Sequence, residues 1–292
     1  MAKNNIHVLE EMRIPKAIMH LALPSVLSML VNVLYNLTDT FFIGKLNDPV
    51  QVAAVSIAFP LFTFQMAIAG IFGNGGGSYV SRLLGRKDYA RAKETTTTAV
   101  VSSLAASVFI GIAGILLIPA FLRSVGASAA VSVPATQYLT YILAGSPIVL
   151  LNFTLVQLIR AEGAANKAMI GLFIGTGANI LLDPLFIFVF GMGVVGAAVA
   201  TVIGQALGMA YYLHYYLAKH SPVSPSRRYL RPRLEIYREI FFIGIPASLG
   251  QVMMSLGNAL SLNLASAYGD VTIASLGVAS RVFPSPSSSL SE

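Results

Sequence analysis

The chain contains seven apolar stretches, each long enough to cross the hydrocarbon core of a bilayer as a helix. A core of roughly 30 Å needs about 20 helical residues. The stretches are continuous rather than alternating, which favours helices over the strands of a membrane barrel. They lie near residues 16–44, 52–81, 95–122, 134–159, 168–190, 194–218 and 236–268. The chain is therefore predicted to be an all-α polytopic membrane protein.

The composition excludes a soluble protein. Only 11% of the residues are charged and 55% are hydrophobic, whereas a soluble domain carries about 25% charged residues. The chain contains no cysteine, which excludes disulfides, thiol catalysis and thiolate metal sites. The sequence also shows no nucleophile–base pair and no metal-ligand spacing of its histidines. We therefore predict that the chain is not an enzyme and binds no cofactor.

The positive charges fall on one side of the predicted spans. Sixteen of the nineteen Lys and Arg residues lie in four segments, namely the N-terminal region, 82–93, 160–167 and 219–238. The opposite side holds only Lys45, Arg123 and Arg281. This positive-inside pattern places the N-terminus in the cytoplasm of a multi-pass protein of the cell (plasma or inner) membrane. Because the basic residues lie in short gaps beside the membrane lipids, no nucleic-acid partner is predicted.

Two parts of the sequence resemble each other at a constant offset of 222 residues. The matching pairs are Pro24 and Pro246, Asn36 and Asn258, and Asp48 and Asp270. Since six helices return the chain to its starting side, we predict one six-helix lobe plus the first helix of a second, parallel repeat. The predicted division is 1–218 for the lobe, 219–235 for a cytoplasmic linker, 236–283 for the start of the second lobe, and 284–292 for an atypical Ser/Pro tail.

Two aspartates lie inside predicted spans, where a carboxylate costs about 2.5–3.5 kcal/mol on insertion scales. Asp39 precedes Gly44 by five residues, and Asp183 precedes Phe188 by five, in two helices that run in the same direction. Both carboxylates should then lie roughly 8 Å inside the outer ends of their helices. We expect two helices to present a carboxylate at the same level of one bundle.

Polar neighbours are expected around this level. Asn179 lies one turn before the second aspartate on the same helical face, and Thr201 reaches a similar depth on the next helix. Tyr35 and Asn36 stand four and three residues before the first aspartate. Pro184 cannot donate to the preceding turn, so a helix kink and a free carbonyl are expected there. These oxygens form a hard set that suits a small cation or a proton.

A second interpretation of the aspartates remains open at this point. Both could lie at the membrane interface and only snorkel or cap helix ends. Asp39 fits this interpretation better, because it is closer in sequence to the polar turn 45–47. Pro24, like its counterpart in the repeat, is expected to kink its helix.

Three runs of the sequence resemble the multidrug and toxic compound extrusion (MATE) transporters, over about residues 14–283. The run 23–44, LPSVLSMLVNVLYNLTDTFFIG, resembles the opening helix of that family. So does the pair Gly73-x-Gly75 followed by Ser81-Arg82-x-x-Gly85. The most specific match is NILLDPLFIF at 179–188, followed by GMGVVGAAVAT at 191–201.

The resemblance implies two six-helix lobes that alternate between inward- and outward-facing states. It implies export of organic cations and other amphipathic compounds, coupled to inward flow of H+ or Na+. The motif positions of the prokaryotic type with a cation site in the first lobe fall on Asp39, Asn179, Asp183 and Thr201. These residues would hold Na+ if the coupling ion is sodium. Tyr35 and Pro24 would correspond to a neighbouring network residue and the kink of the first helix.

The predicted helix number departs from this family, which has twelve helices where seven are predicted here. A missing second lobe would therefore be needed for full activity. One alternative is an inactive truncated membrane fragment. Another is a lipid-linked saccharide flippase of similar architecture, although its cavity would need several membrane-embedded arginines, and only Arg160 lies near a span end.

Overall fold

A computed structural model describes residues 14–218, 221–231 and 233–282, with side chains between 22 and 280. Within these ranges the chain forms nine α-helices and no strands. The helices are α1 (Ile14–Gly44), α2 (Pro49–Gly85), α3 (Tyr89–Ser124), α4 (Ala129–Ala144), α5 (Ser146–Ala161), α6 (Ala165–Pro184), α7 (Gly193–Leu217), α8 (Leu234–Ser266) and α9 (Asp270–Val282). A π-helical segment, Leu185–Val189, continues α6, and a short 3-10 turn, Arg227–Tyr229, lies before α8.

Six of the described helical segments are long and apolar enough to cross a membrane, and the pair α4–α5 raises the number to seven. The prediction of an all-α polytopic protein is therefore confirmed. The fourth predicted stretch is not one straight helix, because α4 and α5 meet at an angle of 53°. Pro147 stands in the first turn of α5. Its ring and missing N–H prevent a regular helix from continuing through this point.

Short turns join the helices, and polar side chains cap several helix starts. The Asp48 side chain accepts a hydrogen bond from the Val50 N–H at 2.9 Å at the start of α2. Ser128 caps α4 in the same way through the Val131 N–H, at 3.2 Å. Such caps satisfy backbone donors that the helix itself leaves unpaired. The capped turns let successive helices reverse direction within a few residues.

The bundle has two ends of different character. One end carries the turns 86–88 and 162–164 and the described part of the linker, 221–231, and we call it the basic end. The far end carries the turns 45–48, 125–128, 190–192 and 267–269.

The second helix packs closely against the eighth. A Cβ atom on Gly75 would lie 2.1 Å from the Ile240 carbonyl oxygen, and one on Gly244 would lie 2.1 Å from the Ile71 carbonyl oxygen. Only glycine allows two backbones to approach this closely. Ser255 also donates a hydrogen bond to the Pro60 carbonyl, at 2.7 Å. The segment after the linker therefore packs against α2 at several points along α8.

The region 236–283 differs in detail from the sequence prediction. It contains two helices rather than one, because α9 begins at Asp270. Pro24 and Pro246 both lie inside long helices, and Asp48 and Asp270 both stand at the start of the following helix. These positions agree with the predicted repeat, although the division into lobes stays a prediction. The Ser/Pro tail at 284–292 lies outside the described residues.

Candidate functional site

Three of the predicted site residues form one buried polar group between α6 and α7. The Asn179 side-chain amide donates to a carboxylate oxygen of Asp183 at 3.3 Å and lies 3.5 Å from the Thr201 hydroxyl. The side chains of Asn179, Asp183 and Thr201 are 2%, 0% and 6% exposed. The carboxylate of Asp183 is therefore fully inside the protein, which does not fit the interpretation that it snorkels to the membrane surface.

The first helix adds two further members of this group. Asp39 is partly buried, and its carboxylate is close enough to that of Asp183 for the two to repel each other. The Tyr35 hydroxyl lies beside Thr201 and near both carboxylates. Asn36, which was predicted to support the group, lies on the exposed side of α1. The structure thus brings together five of the six predicted residues, from three helices.

A pair of glycines sets the distance between α6 and α7. A Cβ atom on Gly204 would lie 2.7 Å from the Gly175 carbonyl oxygen and 3.0 Å from the Cβ of Asn179. A Cβ atom on Gly175 would lie 2.9 Å from the Gly204 carbonyl oxygen. Because both positions lack side chains, the two helices approach closely enough for Asn179 to lie beside Thr201.

The backbone changes its geometry beside the buried carboxylate. The α-helical part of α6 ends at Pro184, and the π-helical segment Leu185–Val189 follows at once. Proline cannot supply the backbone hydrogen bond that the preceding turn requires, and π-helical turns are common where a helix is disturbed in this way. The irregularity that was expected at Pro184 therefore takes the form of a wider helical turn. For Pro24, the helix α1 runs through the proline without a break.

Two oxygen atoms of the group are buried and unpaired. Among the described residues, one carboxylate oxygen of Asp183 and the side-chain oxygen of Asn179 have no hydrogen-bond partner. Leaving such oxygens buried and unpaired is costly, whereas a bound cation or proton would satisfy them. The described residues contain no group of three or more His, Cys, Asp or Glu side chains that could hold a metal ion. Amide and hydroxyl oxygens would therefore have to complete the shell of any cation bound here.

A small cavity of about 40 Å³ adjoins this group on the side of the basic end. Its lining includes Asn32, Tyr35, Asn152, Thr176, Asn179, Thr201 and Gln205. The Asn152 side chain donates a hydrogen bond to that of Gln205. Asn152, Thr176 and Gln205 were not predicted from the sequence, although each is a polar residue inside an apolar span. Gln205 also lies one helical turn after Thr201, which is the spacing that identified Asn179.

A second buried carboxyl group lies at the basic end, in the turn between α5 and α6. Glu162 is fully buried, and it accepts a hydrogen bond from the Ser221 hydroxyl of the linker. Burial raises the pKa of Glu162 from an ordinary 4.5 to about 8, and hydrogen bonds from Ser221 and Tyr215 partly offset that rise. Sequence reasoning missed this residue because nothing in the pattern of loop charges distinguishes it from exposed glutamates.

A comparison with protein families identifies the family to which the chain belongs. A model of the MatE family matches residues 24–185, which is more than half of the chain and includes Asp39, Asn179 and Asp183. The chain belongs to the MatE family. The resemblance predicted from the sequence is therefore confirmed, and so is the prediction that the chain is not an enzyme, because MatE is a family of transporters that need no cofactor. The family and the apolar helices together identify a multi-pass membrane protein.

Individual relatives of this MatE chain are similar over almost its whole length. The multidrug export protein MepA of Staphylococcus aureus (strain MRSA252) is 34% identical over 287 residues, which cover 98% of this chain and 63% of MepA. An inward-facing structure of a multidrug resistance MATE family transporter of the MOP superfamily is 31% identical, with a TM-score of 0.81 over 89% of this chain and 60% of that one. An outward-facing structure of such a transporter is 30% identical, with a TM-score of 0.82 over 97% and 69%. The chain thus spans less than two thirds of the length of MepA.

Proposed function

We propose that this MatE chain forms the first lobe, and the start of the second, of a cation-coupled antiporter. The antiporter would export organic cations and other amphipathic drugs by alternating access, in exchange for H+ or Na+. The similarity to a multidrug export protein supports the class of substrate. The similarity to both inward- and outward-facing MATE structures supports alternating access.

The buried oxygen group carries the proposal for ion coupling. Asp183 is 0% exposed inside a helix bundle, and one of its oxygens has no partner among the described residues. A second carboxylate, that of Asp39, lies close enough to repel it. A bound cation or proton would relieve both the repulsion and the missing hydrogen bond. Asp39 and Asp183 would bind and release the ion, and Asn179 and Thr201 would complete its oxygen shell.

The distribution of charge supports an orientation with the basic end in the cytoplasm. Arg86, Arg227 and Arg228 are exposed at this end, and most of the Lys and Arg residues fall in its segments. The positive-inside rule then places the N-terminus in the cytoplasm and the ion site nearer the outer surface.

The second lobe would complete the path of the substrate. Alternating access requires two lobes that move relative to each other around a central site. The close contact of α2 with α8 supports this joining of two lobes, since α8 follows the linker. A flippase for lipid-linked saccharides is less well supported, because a pyrophosphate group would need several arginines inside the bundle, and Arg160 lies at the end of α5.

The test of the proposed function is the accumulation of ethidium in efflux-deficient bacterial cells. The chain is expressed alone and joined to the part of S. aureus MepA that follows the matched region. We expect the joined protein to lower accumulation and Asp183→Asn to abolish this effect, because the amide cannot release a proton or balance the charge of Na+. Asp88→Asn is the matched control, since Asp88 caps α3 at the basic end, away from the oxygen group. Normal export by Asp183→Asn would contradict the assignment of the ion site.

A further inference from the structure

A cluster of apolar side chains lies one helical turn beyond the oxygen group, toward the far end. Ile43 follows Asp39 by four residues on α1, and Ile187 follows Asp183 by four residues. Ala197 precedes Thr201 by four residues on α7, which runs in the opposite direction. Four residues of helix correspond to a rise of about 6 Å. Each helix that supplies a site residue therefore also supplies an apolar side chain four residues further toward the far end, which for α6 is Ile187 in the π-helical segment that continues it.

The cluster is buried and closely packed. Its members are Ile43, Val55, Ile187, Val194 and Ala197, and all are at most 3% exposed. The rings of Phe42 and Phe188 meet edge to face beside it, with their centroids 6.3 Å apart. The cluster thus joins side chains from α1, α2, α7 and the π-helical segment into one packed layer.

Polar contacts fix this layer at its outer edge. The Gln51 side-chain oxygen accepts a hydrogen bond from the Val194 N–H at 3.2 Å, and the Gln51 amide donates to Asp48 at 3.0 Å. A Cβ atom on Gly196 would lie 2.7 Å from the carbonyl carbon of Phe186, so α7 lies directly against the π-helical segment. These contacts hold the start of α7 in place against the neighbouring helices.

The two sides of the oxygen group therefore differ. On the side of the basic end, amide and hydroxyl side chains line a cavity large enough for water, and Asn32 at its lining is exposed. On the side of the far end, the buried apolar side chains of the cluster follow the carboxylates, and Tyr138 packs against this cluster. Moving a cation through a packed apolar layer is far more costly than moving it past amide and hydroxyl oxygens.

We infer that Ile43, Val55, Ile187, Val194 and Ala197 form an apolar plug that closes the far end of the oxygen group. Ions then exchange with the carboxylates only through the polar cavity. The identity of this group as an ion site rests on the proposed function, whereas the plug is a barrier within the lobe itself. In an antiporter such a barrier prevents cations from crossing the first lobe without a movement of the lobes, which would uncouple ion flow from export.

The absence of cysteine from the chain allows a direct test with single cysteines. The reporter is Thr176→Cys, which lies in the cavity, and the reagent is Ag+ in chloride-free buffer outside sealed right-side-out vesicles. Lys45→Cys, at an exposed position of the far end, gives the rate for open access. We expect the reporter to react much more slowly than Lys45→Cys. Reaction of both cysteines at the same rate would overturn the inference, because the plug would then not be the barrier.

Opening the plug is the second step of the test. Adding Ile187→Ala to the reporter should speed its reaction with Ag+ at least about ten-fold, because truncation leaves a cavity in the packed layer. Ile159→Ala is the matched control, since Ile159 is equally buried but lies near the basic end. Val194→Ala removes less volume from the same layer and serves if the larger truncation impairs folding. No acceleration by either plug variant, or equal acceleration by the control, would exclude the plug.

Different experiments test the proposed ion site and the proposed plug. Access of Ag+ to Thr176→Cys does not depend on whether the carboxylates bind a coupling ion. Normal export by Asp183→Asn would therefore remove the ion site and leave the barrier in place. Unhindered labelling from outside would remove the barrier and leave the ion site untouched.

Discussion

At the scale of single residues, two fully buried carboxyl groups lie at different depths of the bundle. Asp183 lies among amide, hydroxyl and carboxylate oxygens in the half of the bundle toward the far end, whereas Glu162 lies at the basic end against the linker. Both are 0% exposed. A buried carboxyl group is tolerated only when it is protonated, paired or bound to a cation. The surroundings of Glu162 indicate that this carboxyl group is protonated.

The first prediction concerns the pH dependence at Glu162. Burial raises the pKa of this carboxyl to about 8 from an ordinary 4.5. Between these two values the folded chain holds a proton that the unfolded chain has lost. The free energy of unfolding should therefore fall as the pH rises from about 4.5 to about 8 and then stay level with respect to this group. Thermal unfolding of the detergent-solubilised chain across this range measures the slope.

Glu162→Gln provides the comparison for this prediction, because the amide stays neutral and keeps an oxygen for the Ser221 hydroxyl. In this variant the free energy of unfolding should fall much less between pH 4.5 and 8. Above pH 8 the variant should be more stable than the parent chain. Glu235→Gln changes an exposed carboxyl at the same end and should leave the slope unchanged. An unaltered slope in Glu162→Gln would show that another group causes the pH dependence.

At the scale of helices, the contact between α2 and α8 depends on glycine. The second prediction is that Gly244→Ala separates these helices, because the new methyl group would lie 2.1 Å from the Ile71 carbonyl oxygen. Overpacking of this kind costs about 1–3 kcal/mol, so the unfolding temperature should fall. Gly250→Ala is the control on the same helix, where a Cβ atom meets nothing within 4 Å. Equal effects of the two substitutions would contradict the close contact.

The linker is attached to the start of α3 by charge as well as by hydrogen bonds. The carboxylate of Glu94 lies 3.8 Å from the guanidinium of Arg231 and 3.6 Å from that of Arg233. The Ser226 N–H also donates to the Thr97 hydroxyl at 3.2 Å. Because the Glu94 side chain is only 10% exposed, its ion pairs are less screened than those on the surface.

The third prediction is that Glu94→Gln loosens the linker. If the free energy that holds the linker against α3 falls by about 1 kcal/mol, trypsin should cleave after Arg227 or Arg228 roughly five-fold faster. Glu235→Gln removes an exposed ion pair, in which the Glu235 carboxylate lies 3.7 Å from the Arg91 guanidinium. This substitution should have little effect on cleavage, because surface ion pairs contribute little to stability. Mass spectrometry of the fragments over time gives both rates. Equal rates in the two variants would show that the pairs of Glu94 do not hold the linker.

At the scale of the whole molecule, the distribution of charge predicts one orientation in the membrane. The fourth prediction is that a membrane-impermeant maleimide labels Lys45→Cys from outside intact cells and Arg227→Cys only after the cells are opened. Both residues are exposed, at the far end and the basic end respectively. The parent chain, which lacks cysteine, gives the background. The reverse labelling pattern would invert the orientation and place the ion site near the cytoplasm.

The sequence by itself determined the properties that each helix carries alone. Hydrophobicity and length predicted the spans, and the position of Asp39 and Asp183 within their helices predicted a shared level. The motif 179–188 predicted the family. These properties follow from the composition and rise of a single helix, so they need no knowledge of its neighbours.

Only the tertiary structure decided which side chains meet. The proximity of Tyr35 to Thr201 and the ion pairs of Glu94 join residues that are far apart in the chain. The exposed position of Asn36, the bend between α4 and α5, and the apolar plug likewise depend on how helices pack. Packing is set by the fit of whole surfaces, at contacts such as that of Gly175 with Gly204. Spacing along one helix therefore indicated how deep the carboxylates lie, while the approach of neighbouring helices decided that they are buried together and closed on one side.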